Sequence, residues 1–326
     1  MATNSKFWQM NLPTAAGIWA AIVILAGFAG MRLGYGGRAF ALALGVAAVL
    51  FAFELFLAAP GVLDQARQSL GEHGGVLAPL IPLFAVLIYT IGVAASWKMA
   101  LIGAAYTVLP ALLVASSAGK PPGTWADYAA AIIVWLPVEF RWMYHLFPYP
   151  AQLTHTLTIL LALSTGVAAF VLLRRLDGIG YAIEWRRGFG GNVLIHFAIF
   201  AAIAVAIGVR IGFLTYDPSA TRLRSLPLTI IGILFFTAWP EEFLFRGILQ
   251  NLFQRTFKNQ WIGLVLASII FGLSHIFHAP YPNWKYVALA TIAGLVYGHT
   301  WMKTKSLFPA AIVHALVDIL WHILFK

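Results

Sequence analysis

Eleven times between residues 13 and 325 the sequence returns to an apolar run of about 20 residues, the length that crosses a roughly 30 Å hydrocarbon core as a helix. The runs lie near 13–30, 39–60, 77–96, 99–118, 126–146, 153–173, 190–214, 226–250, 261–277, 286–302 and 306–325. None alternates apolar and polar residues far enough to build a barrel strand. The sequence therefore predicts an all-α fold, a polytopic transmembrane helix bundle of about eleven spans. Composition agrees: 61% of residues are hydrophobic and 10% charged, where a soluble domain carries about 25% charged residues. So little charge cannot keep such a chain dissolved. The expected location is integral and multi-pass, in the plasma membrane of a prokaryote. The first run, after Lys6 and ending near Ala29 and Gly30, also has the outline of a signal peptide. Because further spans follow, it is expected to be an uncleaved first helix.

The net charge of +10 would suggest nucleic acid in a soluble protein. Here the cations sit between the apolar runs and no basic cluster is interleaved with aromatics, so they read as topology determinants and no nucleic-acid partner is expected. Arg174, Arg175, Arg186 and Arg187 share one loop; Arg255 and Lys258 follow two spans later, Lys303 and Lys305 two spans after that. Even numbers of crossings separate the three groups, which puts all of them on the cytoplasmic side. Arg222 and Arg224, beside Asp217, dissent. With no cysteine in the chain, disulfides, thiol catalysis and Cys-ligated zinc are excluded.

Inside the run 226–250 stands WPEEFLFR, residues 239–246. Ionisable groups at membrane depth cost roughly 2.5–3.5 kcal/mol each on insertion scales, so three of them require an explanation. Pro240 lacks an N–H, and the helix is expected to begin or kink there. At about 100° per residue Glu241 and Glu242 point in different directions. Arg246 falls four residues after Glu242, in the favourable acid-before-base order. Glu242 and Arg246 thus read as a structural pair, with Glu241 outside it and able to serve as a general base in a low dielectric. The alternative is that both acids satisfy Arg246 and fix helix packing. A weaker echo, WLPVEFRW at 135–142, reads as an independent buried ion pair.

The next run carries His275 and His278, and the last carries His314, Asp318 and His322 at four-residue spacing on one face. Such groups are costly unless they face a polar cavity or find partners on another helix. At 1.5 Å per residue, Glu241 lies about 21 Å from Arg255, His275 about 25 Å from Lys258, His314 about 13 Å and Asp318 about 20 Å from Lys305. These depths permit one shared site. Gly294 and Gly298 in GLVYGHT form a small-xxx-small face that lets helices approach closely.

EEFLFR, FGLSH and HALVD, in that order on separate spans, give EExxxR, FxxxH and HxxxN/D motifs. The set resembles the CPBP family (CAAX proteases and bacteriocin-processing enzymes, also called Abi), glutamic-type intramembrane proteases that include Rce1-like CAAX endopeptidases. The resemblance covers roughly residues 200–326. It implies a protease core at 191–326, with residues 1–190 forming further transmembrane helices of unassigned role. It implies an endopeptidase that hydrolyses a peptide bond in a membrane-associated protein or peptide. Glu241 would activate water, His275 would help hold it, His314 and Asp318 would stabilise the oxyanion, and Glu242 and Arg246 would support them. Where asparagine is common, this chain has Asp318, which as a carboxylate cannot donate to an oxyanion; the favoured reading is that it orients His314. Glu241, His275 and His314 could form a His₂Glu zinc set, as in metalloendopeptidases, but no HExxH is present and a metal-free glutamate mechanism is favoured. A proton-coupled transporter and a non-catalytic membrane scaffold are the rival readings.

Overall fold

The computed structural model describes residues 6–71 and 77–325. Among the described residues each of the eleven apolar runs carries a helix, and seven helices are long and apolar enough to cross a membrane. These are α1 (Leu12–Arg32), α2 (Gly37–Leu57), α5 (Trp97–Ala115), α7 (Ala151–Leu173), α8 (Phe189–Arg210), α9 (Leu226–Thr256) and α12 (Leu307–Leu324). The other four runs fall short for local reasons. Helices α4 (Leu80–Gly92) and α10 (Gln260–Leu273) are apolar but only 13 and 14 residues long. Helix α6 (Trp125–Glu139) has Pro137 in its last turn and stops before Arg141, which is left-handed at φ 57°. Helix α11 (Trp284–Thr304) spans 21 residues but includes Lys285, His299 and Lys303. A further helix, α3 (Pro60–Leu70), is amphipathic.

The chain divides into two compact units, Gln9–Leu176 and Asp177–Lys326, the latter together with Met1–Trp8. In the first, close packing uses small residues: a Cβ on Gly30 would lie 2.2 Å from the Phe40 ring, and one on Gly103 2.6 Å from Val86. Buried polar groups find partners across helices, as do Trp19 Nε1 on the Ala48 carbonyl at 2.8 Å and Ser164 Oγ on Glu54 at 2.8 Å. Thr124 and Asp127 form a capping box at the start of α6, and Arg174 Nε reaches Asp127 at 2.7 Å. Arg175 donates to the carbonyls of Arg67 and Gly71. Half of the basic loop that signals topology thus also ties helix ends together. In the echo segment, Glu139 accepts from Trp135 Nε1 while Arg141 is exposed and lies over the Tyr144 ring, so the two do not form the buried ion pair read from the sequence.

Strand Lys6–Gln9, whose first three residues belong to the second unit, pairs with Glu184–Arg186, and among the described residues α8–α12 and a five-residue helix, Ala220–Arg224, follow. Helix α11 packs against α8, α10 and α12. Its seam with α10 is built on glycines: a Cβ on Gly272 would lie 1.9 Å from Thr291 Oγ1, one on Gly294 2.9 Å from Ser268, and one on Gly298 2.4 Å from Leu264. Lipid tails are as apolar as leucine, so packing and interhelical hydrogen bonds, more than the hydrophobic effect, hold such helices together. Arg222 explains the dissenting loop. It pairs with Asp217 and donates to the carbonyls of His322 and Phe325, so it satisfies the orphan carbonyls at the end of α12.

Candidate active site

Helix α9 runs unbroken through Pro240, but its winding changes on either side. Residues Leu234–Ala238 and Phe243–Gln250 take i→i+5 turns, and Trp239–Glu242 between them is α-helical. A proline ring in a regular helix clashes with the carbonyl four residues earlier, and the wide turn before Pro240 relieves that crowding. Helical bulges of this kind recur at functional sites. Here they replace the helix start or kink expected from the sequence.

Glu242 and Arg246 meet as counted. Arg246 Nε lies 3.2 Å from Glu242 Oε2, and both side chains are buried. Arg246 Nη2 also donates to the Gly294 carbonyl at 3.3 Å, and one turn on, Gln250 Nε2 donates to the Gly298 carbonyl at 3.3 Å. The two glycines that let α10 approach α11 therefore also expose carbonyls to α9. Three aromatic faces surround the guanidinium, those of Phe271, Tyr297 and Phe245, at 4.5, 5.4 and 5.9 Å from ring centroids. Cation–π contact of this kind supports a desolvated cation.

Both glutamates address one imidazole. His314 Nδ1 donates to Glu242 Oε1 at 2.9 Å, and Nε2 on the opposite side of the ring lies 3.8 Å from Glu241 Oε2 and 3.6 Å from Asp318 Oδ2. The bond that orients His314 thus comes from Glu242, not from Asp318 as its four-residue spacing suggested. Distances of 3.6 and 3.8 Å are too long for direct hydrogen bonds. The Glu242 side chain is 0% exposed, whereas Glu241 and Asp318 are 32% and 29% exposed. Glu242 is a support inside the protein; Glu241 and Asp318 reach accessible space. Tyr297 stacks on His314 at 4.5 Å and 17°, and Phe271 meets it edge-on at 5.8 Å.

His275 lies just beyond α10, whose last residue is Leu273, so it occupies a turn and not the continuous helical run 261–277 read from the sequence. Prolines at 280 and 282 keep the residues just before them, Ala279 and Tyr281, out of helical conformation. Its Nδ1 contacts the Phe271 carbonyl at 2.9 Å. A carbonyl only accepts, so Nδ1 carries the proton and Nε2 of the neutral ring presents a lone pair. Tyr286 packs on the ring at 4.5 Å, and His278 stacks on it at 5.5 Å.

His275, His314 and Asp318 border one cavity of about 70 Å³, room for a few waters when one needs about 10–15 Å³. Its remaining wall is mainly apolar. Phe213, Tyr286 and Trp321, from three separate elements, close one side as a ring triangle with centroids 5.1–5.3 Å apart. The structure therefore brings Glu241, Glu242, Arg246, His314 and Asp318 into one cluster and sets His275 on the cavity beside it. Sequence reasoning missed Tyr297, Tyr286 and Gln250, and treated Phe271 only as a motif letter. The available signal was Tyr297 between the glycines of GLVYGHT, where a buried hydroxyl needs a polar neighbourhood. Among the described residues no three His, Asp or Glu side chains are arranged to hold a metal ion. The bond from His314 Nδ1 to Glu242 leaves Nε2 facing Glu241 and Asp318, an orientation that histidine ligands of metals also take; no step below is routed through a metal.

Residues 223–320 match the family model of Rce1-like type II CAAX prenyl endopeptidases. An Escherichia coli protein described as an uncharacterized 24.3 kDa protein is 24% identical over 178 residues, covering 52% of this chain and 76% of that one. No solved structure matches.

Proposed function

We propose that this chain, an integral membrane protein of the Rce1-like CAAX endopeptidase family by its residues 223–320, is an intramembrane endopeptidase that hydrolyses a peptide bond in a membrane-associated protein or peptide. The observation that carries the reading is the convergence of Glu241, Asp318 and Glu242 on His314, next to a cavity large enough for water. Glu241 takes a proton from water as the oxygen attacks the scissile carbonyl carbon. His275, with Nδ1–H spent on the Phe271 carbonyl, accepts a hydrogen bond from that water at Nε2. His314 then faces the oxyanion. Because Nδ1–H is given to Glu242, Nε2 donates to the oxyanion as imidazolium, a positive charge balanced by the carboxylates around it. Glu241 returns its proton to the leaving amine, the C–N bond breaks, and no covalent enzyme intermediate forms. Asp318 contributes charge beside His314 Nε2, while Glu242 and Arg246 hold the ring.

Purified full-length protein incubated with labelled single-span membrane peptides in ¹⁸O water tests this. Cleavage places one ¹⁸O in the new C-terminal carboxylate, and Glu241→Ala abolishes it. Cleavage by Glu241→Ala at the wild-type rate rejects the proposal.

A further inference from the structure

A second polar concavity lies at the opposite end of α9 from its entry at Leu226. The turn between α9 and α10 and the turn between α11 and α12 flank a cleft of about 630 Å³, into which Arg255, Lys258 and Lys305 converge. Its other polar walls are Asn251, Gln254, Asn259 and Gln260, and no acidic side chain lines it among the described residues. Arg255 is fixed by two hydrogen bonds, Nε to Asn251 Oδ1 at 2.9 Å and Nη2 to the Asp177 carbonyl at 2.7 Å. Lys305 Nζ sits 5.8 Å from the Trp301 ring centroid. The N-terminus of α10 opens on the same cleft, capped by Asn259, whose side chain accepts from the Trp261 and Ile262 amides. That helix end adds positive potential.

Lysines that close helices are expected at helix C-termini and on a cytoplasmic face. Those rules account for Lys258 and Lys305 singly. They do not require two turns from different parts of the chain to aim three cations into one concavity without a carboxylate. We infer that this cleft binds a phosphate-bearing anion, namely the headgroup of an anionic phospholipid. The lipid source is inferred from position: the cleft lies at the end of α9 and the start of α12, two helices long and apolar enough to cross a membrane, and basic pockets between membrane helices capture anionic headgroups.

The test uses full-length protein in uncharged detergent, titrated separately with short-chain phosphatidylglycerol, short-chain phosphatidylcholine and inorganic phosphate, with bound ligand counted by native mass spectrometry. Lys258 and Lys305 have φ of 50° and 54°, so Lys258→Asn and Lys305→Asn are the fitting substitutions, asparagine tolerating that region. Phosphatidylglycerol is expected to bind saturably and ahead of phosphatidylcholine, each substitution weakening it about fivefold. Lys303→Asn, on the same face but outside the cleft, is expected to leave binding unchanged. Equal binding of the two lipids by wild-type protein overturns the inference whatever the variants do, as does a Lys303→Asn effect equal to the cleft variants. Inorganic phosphate binding as tightly as phosphatidylglycerol overturns the lipid assignment.

Discussion

Two adjacent glutamates in one helix carry different burdens because one imidazole separates them. Glu242 is buried against Arg246 and His314 Nδ1, whereas Glu241, with a side chain 32% exposed, turns Oε2 toward Nε2 at 3.8 Å. Substitutions at the two positions are therefore expected to fail in different ways. Glu242→Ala leaves Arg246 buried without its counter-charge, a loss of about 3–5 kcal/mol for a broken buried pair, and thermal melting of the purified protein falls with activity. Asp318→Asn retains cleavage within tenfold, because Glu242 supplies the orienting bond and an amide also donates where an oxyanion forms. A drop of 10³ in Asp318→Asn would return the orienting role to Asp318. The Glu242–Arg246 pair was legible from four-residue spacing alone. The link from His314 to Glu242 was not, because it joins residues 72 positions apart and no local pattern encodes which ring nitrogen faces which acid.

Helix α9 shows what an element adds beyond its residues. Hydropathy found it, and its proline marked a disturbance, but only the structure shows i→i+5 turns flanking Pro240 in place of a break. Counting at regular helical pitch cannot anticipate a change of pitch. The same limit applied at His275, where depth was counted along a helix that ends two residues before it. The glycine seam was legible in kind, since Gly294 and Gly298 stood out by spacing. Its partner was not, since pairing of α10 with α11 is a tertiary fact. A Cβ on Gly298 would lie 2.4 Å from Leu264 and 2.5 Å from Gln250 Oε1, so Gly298→Ala is expected to destabilise by about 1–3 kcal/mol through overpacking. Gly17, in α1, has nothing within 4 Å of the equivalent point. Gly17→Ala is expected to be neutral or to stabilise by up to about 1 kcal/mol through helix propensity. Melting temperatures of the two variants that move in the same direction would contradict the packing account.

At the scale of the molecule, the class was the most legible property, because the bilayer demands helices and leaves that demand in composition. Among the described residues each of the eleven runs carries a helix, and seven helices satisfy length and apolarity for crossing. The unit Asp177–Lys326, with Met1–Trp8, contains every residue of the candidate site, whose polar groups come together from α9, α12 and the turn after α10. What holds a costly set of charges there is mutual satisfaction: acid with arginine, acid with imidazole, guanidinium with ring faces and glycine carbonyls. The proposed role of Glu241, in contrast to Glu242, is to take the proton from the attacking water. It is tested most directly by measuring membrane-peptide cleavage and thermal melting on the same preparation of Glu241→Gln. General-base catalysis contributes about 10²–10⁴-fold, so cleavage is expected to fall by at least about 10²-fold with the melting temperature unchanged. Cleavage at the wild-type rate, or a loss of activity matched by a loss of stability, would contradict it.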